Sequence, residues 1–341
     1  FRGEIVTVPA EKGDPRNLTE TVAVHEKFPA WSPDARFMAY FSDASGEYQL
    51  HIKSQDGKGD AKAFKLSGTG FYAFPNWSPD GKHISFTDNG RNFYLLEVST
   101  GAITKVDADE LYVPGPFRNI HGDWSSDSKW LAYTRVTGSQ FRRIYLYSLD
   151  QKKSFALTDG LSNVTDPIFD RGGKYLYFFA STDAGPVINW FDQSNNDMRA
   201  VNSIYLVTLQ KETISPFAKE SDEEKIKEPS DSAKIKKETA PAEKKPAGVT
   251  IDWDGIQNRI VDLPLKAGNY GSLGTGKEDE LLYIEYPFGG GPGMMHKYDM
   301  KKRKDNEVTE MNGYEISADG KKMLFVKSNM WTICNSGEKP E

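Results

Sequence analysis

Phe74-Pro75-Asn76-Trp77-Ser78-Pro79-Asp80-Gly81-Lys82-His83-Ile84-Ser85-Phe86-Thr87-Asp88 is the stretch that decides how this sequence folds. Pro79 presets φ for the second position of a turn, Asp80 can bond its own backbone, and Gly81 tolerates positive φ, so its centre is a tight turn. Beyond the turn Ile84 and Phe86 alternate with Ser85 and Thr87, the period of two that buries one face of a strand. The stretch is a β-hairpin with a buried aromatic at its start.

The same phrase returns along the chain. It recurs as Phe28-Pro29-Ala30-Trp31-Ser32-Pro33-Asp34-Ala35-Arg36, as Asp123-Trp124-Ser125-Ser126-Asp127-Ser128-Lys129, as Ile168-Phe169-Asp170-Arg171-Gly172-Gly173-Lys174 and as Glu315-Ile316-Ser317-Ala318-Asp319-Gly320-Lys321. The leading residues Trp31, Trp77, Trp124 and Phe169 stand 46, 47 and 45 residues apart. One hairpin per period, followed by two more strand-like runs, is the signature of a four-stranded propeller blade. Met38, Ile84, Leu131 and Leu176 fall in one column of the repeat and Tyr40, Phe86, Tyr133 and Phe178 in another, two residues on. Such columns predict the core between stacked sheets. The expected fold is all-β, a β-propeller. Gly3 to Thr19 reads as the outer half of a blade and six repeats follow, which predicts seven blades with an incomplete first.

The repeat runs almost end to end, so 1–341 is expected to be one domain. Within it 219–248 changes to Glu, Lys, Ser, Asp, Pro and Ala and cannot bury enough surface to offset its ordering entropy. It is expected to be a mobile charged insertion. A second interruption, Thr182–Ala200, carries Trp190 and Phe191 among polar residues and reads as a long loop. A fifth, divergent repeat is expected from Val249, with strands near Asn258–Leu263, Glu280–Glu285 and Met294–Asp299.

A net charge of −6 with no basic stripe argues against a nucleic-acid partner. No apolar run approaches the roughly 18 residues that span a bilayer, so no membrane segment is expected. Cys334 is the only cysteine, so no disulfide forms within the chain, a pattern compatible with the cytoplasm and also with a bacterial periplasm. The chain opens at Phe1-Arg2-Gly3 with neither Met nor an apolar leader, which predicts a removed or truncated N-terminus.

Catalytic chemistry finds little to use. Ser32, Ser78 and Ser125 follow Trp at the same turn position of successive repeats, which suits backbone bonding rather than nucleophilic attack. Gly271-Ser272-Leu273-Gly274 has the wrong spacing for a nucleophile elbow and reads as a Gly-rich loop. His121-Gly122-Asp123 is the nearest approach to a metal pair and lacks a third ligand; the Gly289–Gly293 run lacks the Lys-Ser/Thr of a phosphate loop. No catalytic residue, metal or cofactor is expected in this chain. Segments leading into the inner strands lie at one mouth of a propeller's tunnel, which nominates His25, Phe71, Tyr72, Arg118 and His121 as a rim able to meet a peptide.

Several stretches carry a resemblance to a known family. Arg2–Ala10 leading to Arg16-Asn17-Leu18-Thr19, then Phe28–Asp34, the run Ile251-Asp252-Trp253-Asp254-Gly255-Ile256-Gln257-Asn258-Arg259-Ile260-Val261, and Tyr298-Asp299-Met300-Lys301-Lys302-Arg303-Lys304 resemble the second, larger propeller of tricorn proteases. The Trp-Ser-Pro-Asp-Gly phrase alone is shared by TolB-like and prolyl-oligopeptidase-like propellers; the Ile251–Val261 and Tyr298–Lys304 stretches are the specific part. The resemblance implies the non-catalytic propeller of a serine peptidase, gating or filtering peptides toward a separate catalytic domain. It further implies PDZ-like and peptidase domains in the parent protein as partners, homo-oligomeric assembly of that parent, and a cytoplasmic location. The alternatives are a stand-alone TolB-like interaction propeller and the propeller lid of a prolyl-oligopeptidase-type enzyme.

Overall fold

Each repeated phrase becomes the turn between the first two strands of a sheet in the computed structural model, which describes residues 3–68, 70–111, 122–182, 199–219, 248–327 and 330–340. Two short antiparallel strands come first, β1 (Val6–Thr7) and β2 (Arg16–Asn17). Blade 1 runs β3 (Glu26–Trp31), β4 (Phe37–Ser42), β5 (Gln49–Ser54) and β6 (Lys62–Lys65). Blade 2 runs β7 (Tyr72–Trp77), β8 (His83–Asp88), β9 (Asn92–Glu97) and β10 (Ile103–Ala108); blade 3 runs β11 (Asp123–Trp124), β12 (Trp130–Val136), β13 (Arg142–Ser148) and β14 (Lys153–Ala156). Blade 4 is β15 (Asn163–Phe169), β16 (Tyr175–Ser181), β17 (Ser203–Thr208) and β18 (Ile260–Asp262). Blade 5 is β19 (Tyr270–Thr275), β20 (Glu280–Glu285), β21 (Gly293–Asp299) and β22 (Lys304–Met311), and blade 6 is β23 (Tyr314–Ile316), β24 (Lys322–Lys327) and β25 (Met330–Asn335). Within each sheet the strands pair antiparallel in chain order, and the first strands of neighbouring blades lie against one another, β3 on β7, β11 on β15 and β15 on β19. Among the described residues there is no α-helix, only a 3-10 turn at Ile256–Arg259.

Among the described residues the blades number six, not the seven expected. Gly3 to Thr19 forms only the two-stranded ribbon β1–β2. Two strands of two residues cannot bury two faces, so the ribbon is a cover on blade 1: Ile5 and Leu18 pack on Met38 and Tyr40. A second correction concerns the boundary between blades 4 and 5. Ile260–Asp262 pairs with β17 and completes blade 4, while Asn258 and Arg259 lie in the 3-10 turn. Blade 5 opens instead at Tyr270–Thr275, whose glycines at 271 and 274 disguised a strand as a loop. The charged segment 219–248 lies, but for its end residues, outside the described residues, as does most of Thr182–Ala200.

The serines of the repeat act on the backbone. Ser78 Oγ donates to Asp80 Oδ1 at 2.6 Å and accepts from the His83 N–H at 2.9 Å. Ser32, Ser125 and Ser317 repeat the pattern with Asp34 and Phe37, Asp127 and Trp130, Asp319 and Lys322. The serine hydroxyl and the backbone N–H groups beside it hold the Asp34 carboxyl below its usual range and bring that of Asp319 down to about 2. In blade 4 Asp170 replaces the serine and accepts from the Gly172, Lys174 and Tyr175 N–H groups at 2.7 to 3.0 Å. Burial nevertheless pushes its carboxyl up to about 6.

Both apolar columns are buried, from Met38 at 3% exposed and Tyr40 at 2% to Leu131 and Tyr133 at 0%. The side chains form a series of clusters, each shared by two consecutive blades: Phe41, Leu50 and Phe86 between blades 1 and 2, Phe93 and Tyr133 between 2 and 3, Leu146 and Phe178 between 3 and 4, Tyr177 and Tyr283 between 4 and 5, and Ile284 and Phe325 between 5 and 6. Burying one such side chain contributes about 2 kcal/mol.

Candidate functional site

The first strands of four blades share an irregularity. In β3, β7, β15 and β19 the register with the second strand slips, at Lys27/Ala30, Ala73/Asn76, Thr165/Ile168 and Gly271/Gly274. At each slip sits a left-handed residue that is not glycine: Phe28 at φ 53°, Phe74 at 56°, Asp166 at 52° and Ser272 at 53°. A bulge bends its strand and re-aims the extra side chain, and a left-handed β-carbon costs about 1 kcal/mol. The Phe28 and Phe74 rings stand 5.4 Å apart, so blades 1 and 2 give the inner edge an aromatic wall, while the same position in blades 4 and 5 is polar. In three of the four the left-handed residue is followed directly by proline, Pro29, Pro75 and Pro167, a mark the sequence carries because proline within a sheet is confined to edges and bulges.

Above that wall, where β3 and β7 begin, four side chains from blades 1 and 2 converge. His25 Nδ1 lies 3.2 Å from the Tyr48 hydroxyl. The Tyr48 ring is 5.7 Å from that of Phe71, and Lys27 Nζ stands 5.6 Å from each ring. The two leading residues are held alike: the His25 N–H donates to Asp43 Oδ1 at 2.7 Å and the Phe71 N–H to Asn89 Oδ1 at 3.1 Å. Phe71 remains 50% exposed. A half-exposed aromatic beside an ammonium group and an imidazole can receive an apolar side chain on one surface and a carbonyl or carboxylate on another.

Of the five rim residues read from the sequence, His25 and Phe71 belong to this cluster. Tyr72 does not, because it points the other way: its ring packs on Phe41 and Phe86 in the core between blades 1 and 2, and its hydroxyl donates to the Ser67 carbonyl at 3.1 Å. Arg118 and His121 lie outside the described residues. Lys27 and Tyr48 were missed; Tyr48 comes from the β4–β5 connection, which only the fold brings beside β7.

Neighbouring inner strands are fastened by hydrogen bonds. Trp77 Nε1 donates to the Ala30 carbonyl at 3.1 Å and Trp124 Nε1 to that of Asn76 at 3.3 Å. Asp123 Oδ2 accepts from the Phe169 N–H at 2.7 Å, Thr275 Oγ1 donates to the Phe169 carbonyl at 3.4 Å, and the Tyr314 hydroxyl donates to that of Ser272 at 2.6 Å. Asp123 thus serves as a fastener, and burial pushes its carboxyl up to about 7 against the pull of the Phe169 N–H and the Arg171 charge. Arg171, in the turn after β15, spans three blades: Nε donates to the Thr275 carbonyl at 3.1 Å, and Nη1 and Nη2 to Ala318 and Ser317 at 3.0 and 3.5 Å.

Two other places hold polar groups. A cleft of about 440 Å³ opens between the turns of blades 1 and 2, but Asp34 and Asp80 are engaged by their serines and Lys62 Nζ by the Val98 carbonyl at 2.8 Å. In blade 5 the buried His296 lies with Nδ1 2.7 Å from Asp305 Oδ2 and Nε2 3.7 Å from Glu285 Oε2, stacked on Tyr283 at 4.9 Å. Burial opposes its protonation; the Asp305 hydrogen bond and the charges of Asp305, Glu285 and Glu307 outweigh it and raise its pKa. Among the described residues no three His, Cys, Asp or Glu side chains are placed to hold a metal ion.

Known proteins share this architecture. A tricorn protease homolog of Streptomyces coelicolor is 25% identical over 352 residues, an alignment that takes in 97% of this chain and 31% of the relative. A tricorn protease homolog of Saccharolobus solfataricus is 26% identical over 227 residues, 64% of this chain and 19% of the relative. This chain therefore spans a third or less of these two relatives. The crystal structure of the tricorn protease superposes with a TM-score of 0.71 at 17% identity, covering 98% of this chain and 31% of that one. The propeller of the Trilobed protease from Pyrococcus furiosus, described as having an open velcro topology, gives 0.51 at 11% identity over 91% of this chain and 81% of its own. The model of the tricorn protease second β-propeller domain matches residues 1–337, and the chain belongs to that family.

Proposed function

We propose that this chain is the non-catalytic propeller of a tricorn-type serine peptidase and that it admits peptides toward a peptidase domain elsewhere in the parent protein. Family membership supports the peptidase context. The observation that carries the gating role is the mouth cluster: Phe71, Tyr48, Lys27 and His25 converge above the aromatic wall of Phe28 and Phe74. An extended peptide entering there meets aromatic surface for its side chains and a cation for its carbonyls or C-terminal carboxylate. The family also implies PDZ-like partner domains, oligomeric assembly of the parent and a cytoplasmic site of action; no helix among the described residues is long and apolar enough to cross a membrane.

The test compares Phe71→Ala and Lys27→Ala with wild type in two assays: binding of fluorescein-labelled peptides to the chain, and peptide cleavage by the parent protein. Phe71→Ala is expected to weaken peptide binding about tenfold, the loss of one half-buried aromatic contact. In the parent protein it is expected to raise KM while cleavage of a dipeptide substrate, small enough to bypass the gate, is unchanged. Unaltered binding and KM in both variants would exclude the mouth as a gate.

A further inference from the structure

On the side of the Ser-Pro-Asp turns the seams between blades are closed in different ways. Between blades 2 and 3 the Asp80 N–H donates to Ser128 Oγ at 3.0 Å, tying one turn to the next. At the position of Ser128 the turns of blades 2 and 4 have Gly81 and Gly173, which carry no hydroxyl. The seam between blades 3 and 4 is filled instead by residues 249–253: Val249, Ile251 and Trp253, alternate residues as in an extended chain, pack on the cluster these blades share. The Val249 N–H donates to Asp127 Oδ2 at 2.8 Å and the Asp252 N–H to the Leu209 carbonyl at 2.9 Å. The Trp253 ring lies 6.0 Å from Trp130 and 4.9 Å from Phe155.

The seam between blades 1 and 2 presents the same receiving groups around the cleft of about 440 Å³. By place in the repeat Asp34 corresponds to Asp127, Phe37 to Trp130, Lys62 to Phe155, Trp77 to Phe169 and Val98 to Leu209, and all five line that cleft. The Ser32 hydroxyl engages Oδ1 of Asp34; Oδ2 has the exposed Arg36 at 3.8 Å, a pair that contributes little in water. Lys62 Nζ stands 2.8 Å from the Val98 carbonyl, where the other seam has the Asp252 N–H on the carbonyl of Leu209. A β-carbon at Gly81 meets nothing within 4 Å, so the cleft is open from the side that Ser128 closes in the next seam.

We propose that the cleft between blades 1 and 2 binds an extended peptide in the way the next open seam holds residues 249–253. The first N–H of the peptide donates to Asp34 Oδ2, and apolar side chains at its first and third positions rest on Trp77 and Ile52. The N–H of its fourth residue takes the Val98 carbonyl from Lys62, whose displaced ammonium meets an acidic side chain at that position. An aromatic fifth residue covers Phe37. The occupant's form follows from the chain's own segment, and its charge from the lysine it displaces. The site is separate from the mouth, which lies at the other ends of β3 and β7, and it goes beyond the gating role.

The probe is the blocked pentapeptide Val-Thr-Ile-Asp-Trp, the sequence of residues 249–253, titrated calorimetrically into the 341-residue chain. It is expected to bind about tenfold more tightly than an analogue with Pro in place of Val, which lacks the first N–H, and about threefold more tightly than one with Asn in place of Asp. Gly81→Ser places at φ 69° the hydroxyl that Ser128 carries at φ 61°; it is expected to weaken the Val peptide at least about tenfold, with the melting temperature confirming that the variant is folded. Equal affinity of wild type for the Val and Pro peptides overturns the site, as does binding that Gly81→Ser leaves unchanged. Failure of the Val peptide to bind wild type at millimolar concentration overturns it too. A wild-type dimer that Gly81→Ser dissolves makes a second copy the occupant and overturns the free peptide.

Discussion

Arg171→Met tests whether one guanidinium joins blades 4, 5 and 6. Methionine keeps much of the side chain's apolar stem and removes donors to the Thr275, Ala318 and Ser317 carbonyls at 3.1, 3.0 and 3.5 Å. The two shorter bonds are charge-assisted and contribute about 1.5 kcal/mol each at the lower end of their range, while the third is too long to add much. Ala318 is exposed, so water takes over its carbonyl and reduces the loss. The expected destabilisation is about 2 kcal/mol, read as a shift in the urea midpoint by circular dichroism. The effect has a pH signature. Asp123 is an acid whose folded pKa, about 7, is raised above its unfolded value, so stability falls as pH rises toward that folded value. Arg171 restrains the rise; without it the fall continues to higher pH, and the difference between variant and wild type is larger at pH 8 than at pH 6. Amide exchange in β23 and β24 is expected to accelerate more than in β8. A loss under about 0.5 kcal/mol that does not change with pH would show that the three bonds merely replace equally good bonds to water.

Gly81 and Gly320 occupy the same turn position at φ 69° and 73°, but a β-carbon at Gly81 meets nothing within 4 Å whereas at Gly320 it lies 2.5 Å from Arg171 and from the Gly276 carbonyl. Gly81→Ala is therefore expected to cost about 1 kcal/mol and Gly320→Ala at least twice that; equal losses in thermal melts would refute the crowding. His296 has a raised pKa, so its contribution is fully present below the free-histidine value of about 6.5 and is lost as pH rises through the folded value. Subtracting His296→Gln from wild type between pH 5.5 and 8.5 is expected to leave a stability difference that shrinks with rising pH, and a constant difference would contradict the assigned partners.

The sequence makes regular features legible because they repeat. The Ser-Pro-Asp turns and the columns from Met38 to Leu176 are local in chain and periodic, so each copy confirms the others. The blade 4–5 boundary escaped because β17 and β18 are separated by more than fifty residues and because β19 contains two glycines. The blade count failed for a different reason: Gly3 to Thr19 has a strand-like pattern, and pattern alone does not distinguish the edge of a blade from a ribbon laid on one. Position along the chain nominated His25, Phe71 and Tyr72 alike, but alternation decides which neighbour faces the core, and it sends Tyr72 there and Lys27 to the aromatic rings.

The apolar clusters are shared only by consecutive blades, and among the described residues none joins blade 6 to blade 1. Each described sheet therefore takes its apolar stabilisation from its immediate neighbours, as in a stacked repeat. Blades 1 and 6 are not equivalent in this respect. Blade 1 has the ribbon seated on its free face, while β25 leaves Trp331 75% and Ile333 49% exposed. Loss of structure is therefore expected to begin at blade 6 and advance inward one sheet at a time, so that mild denaturant populates species lacking the last sheet before the global transition.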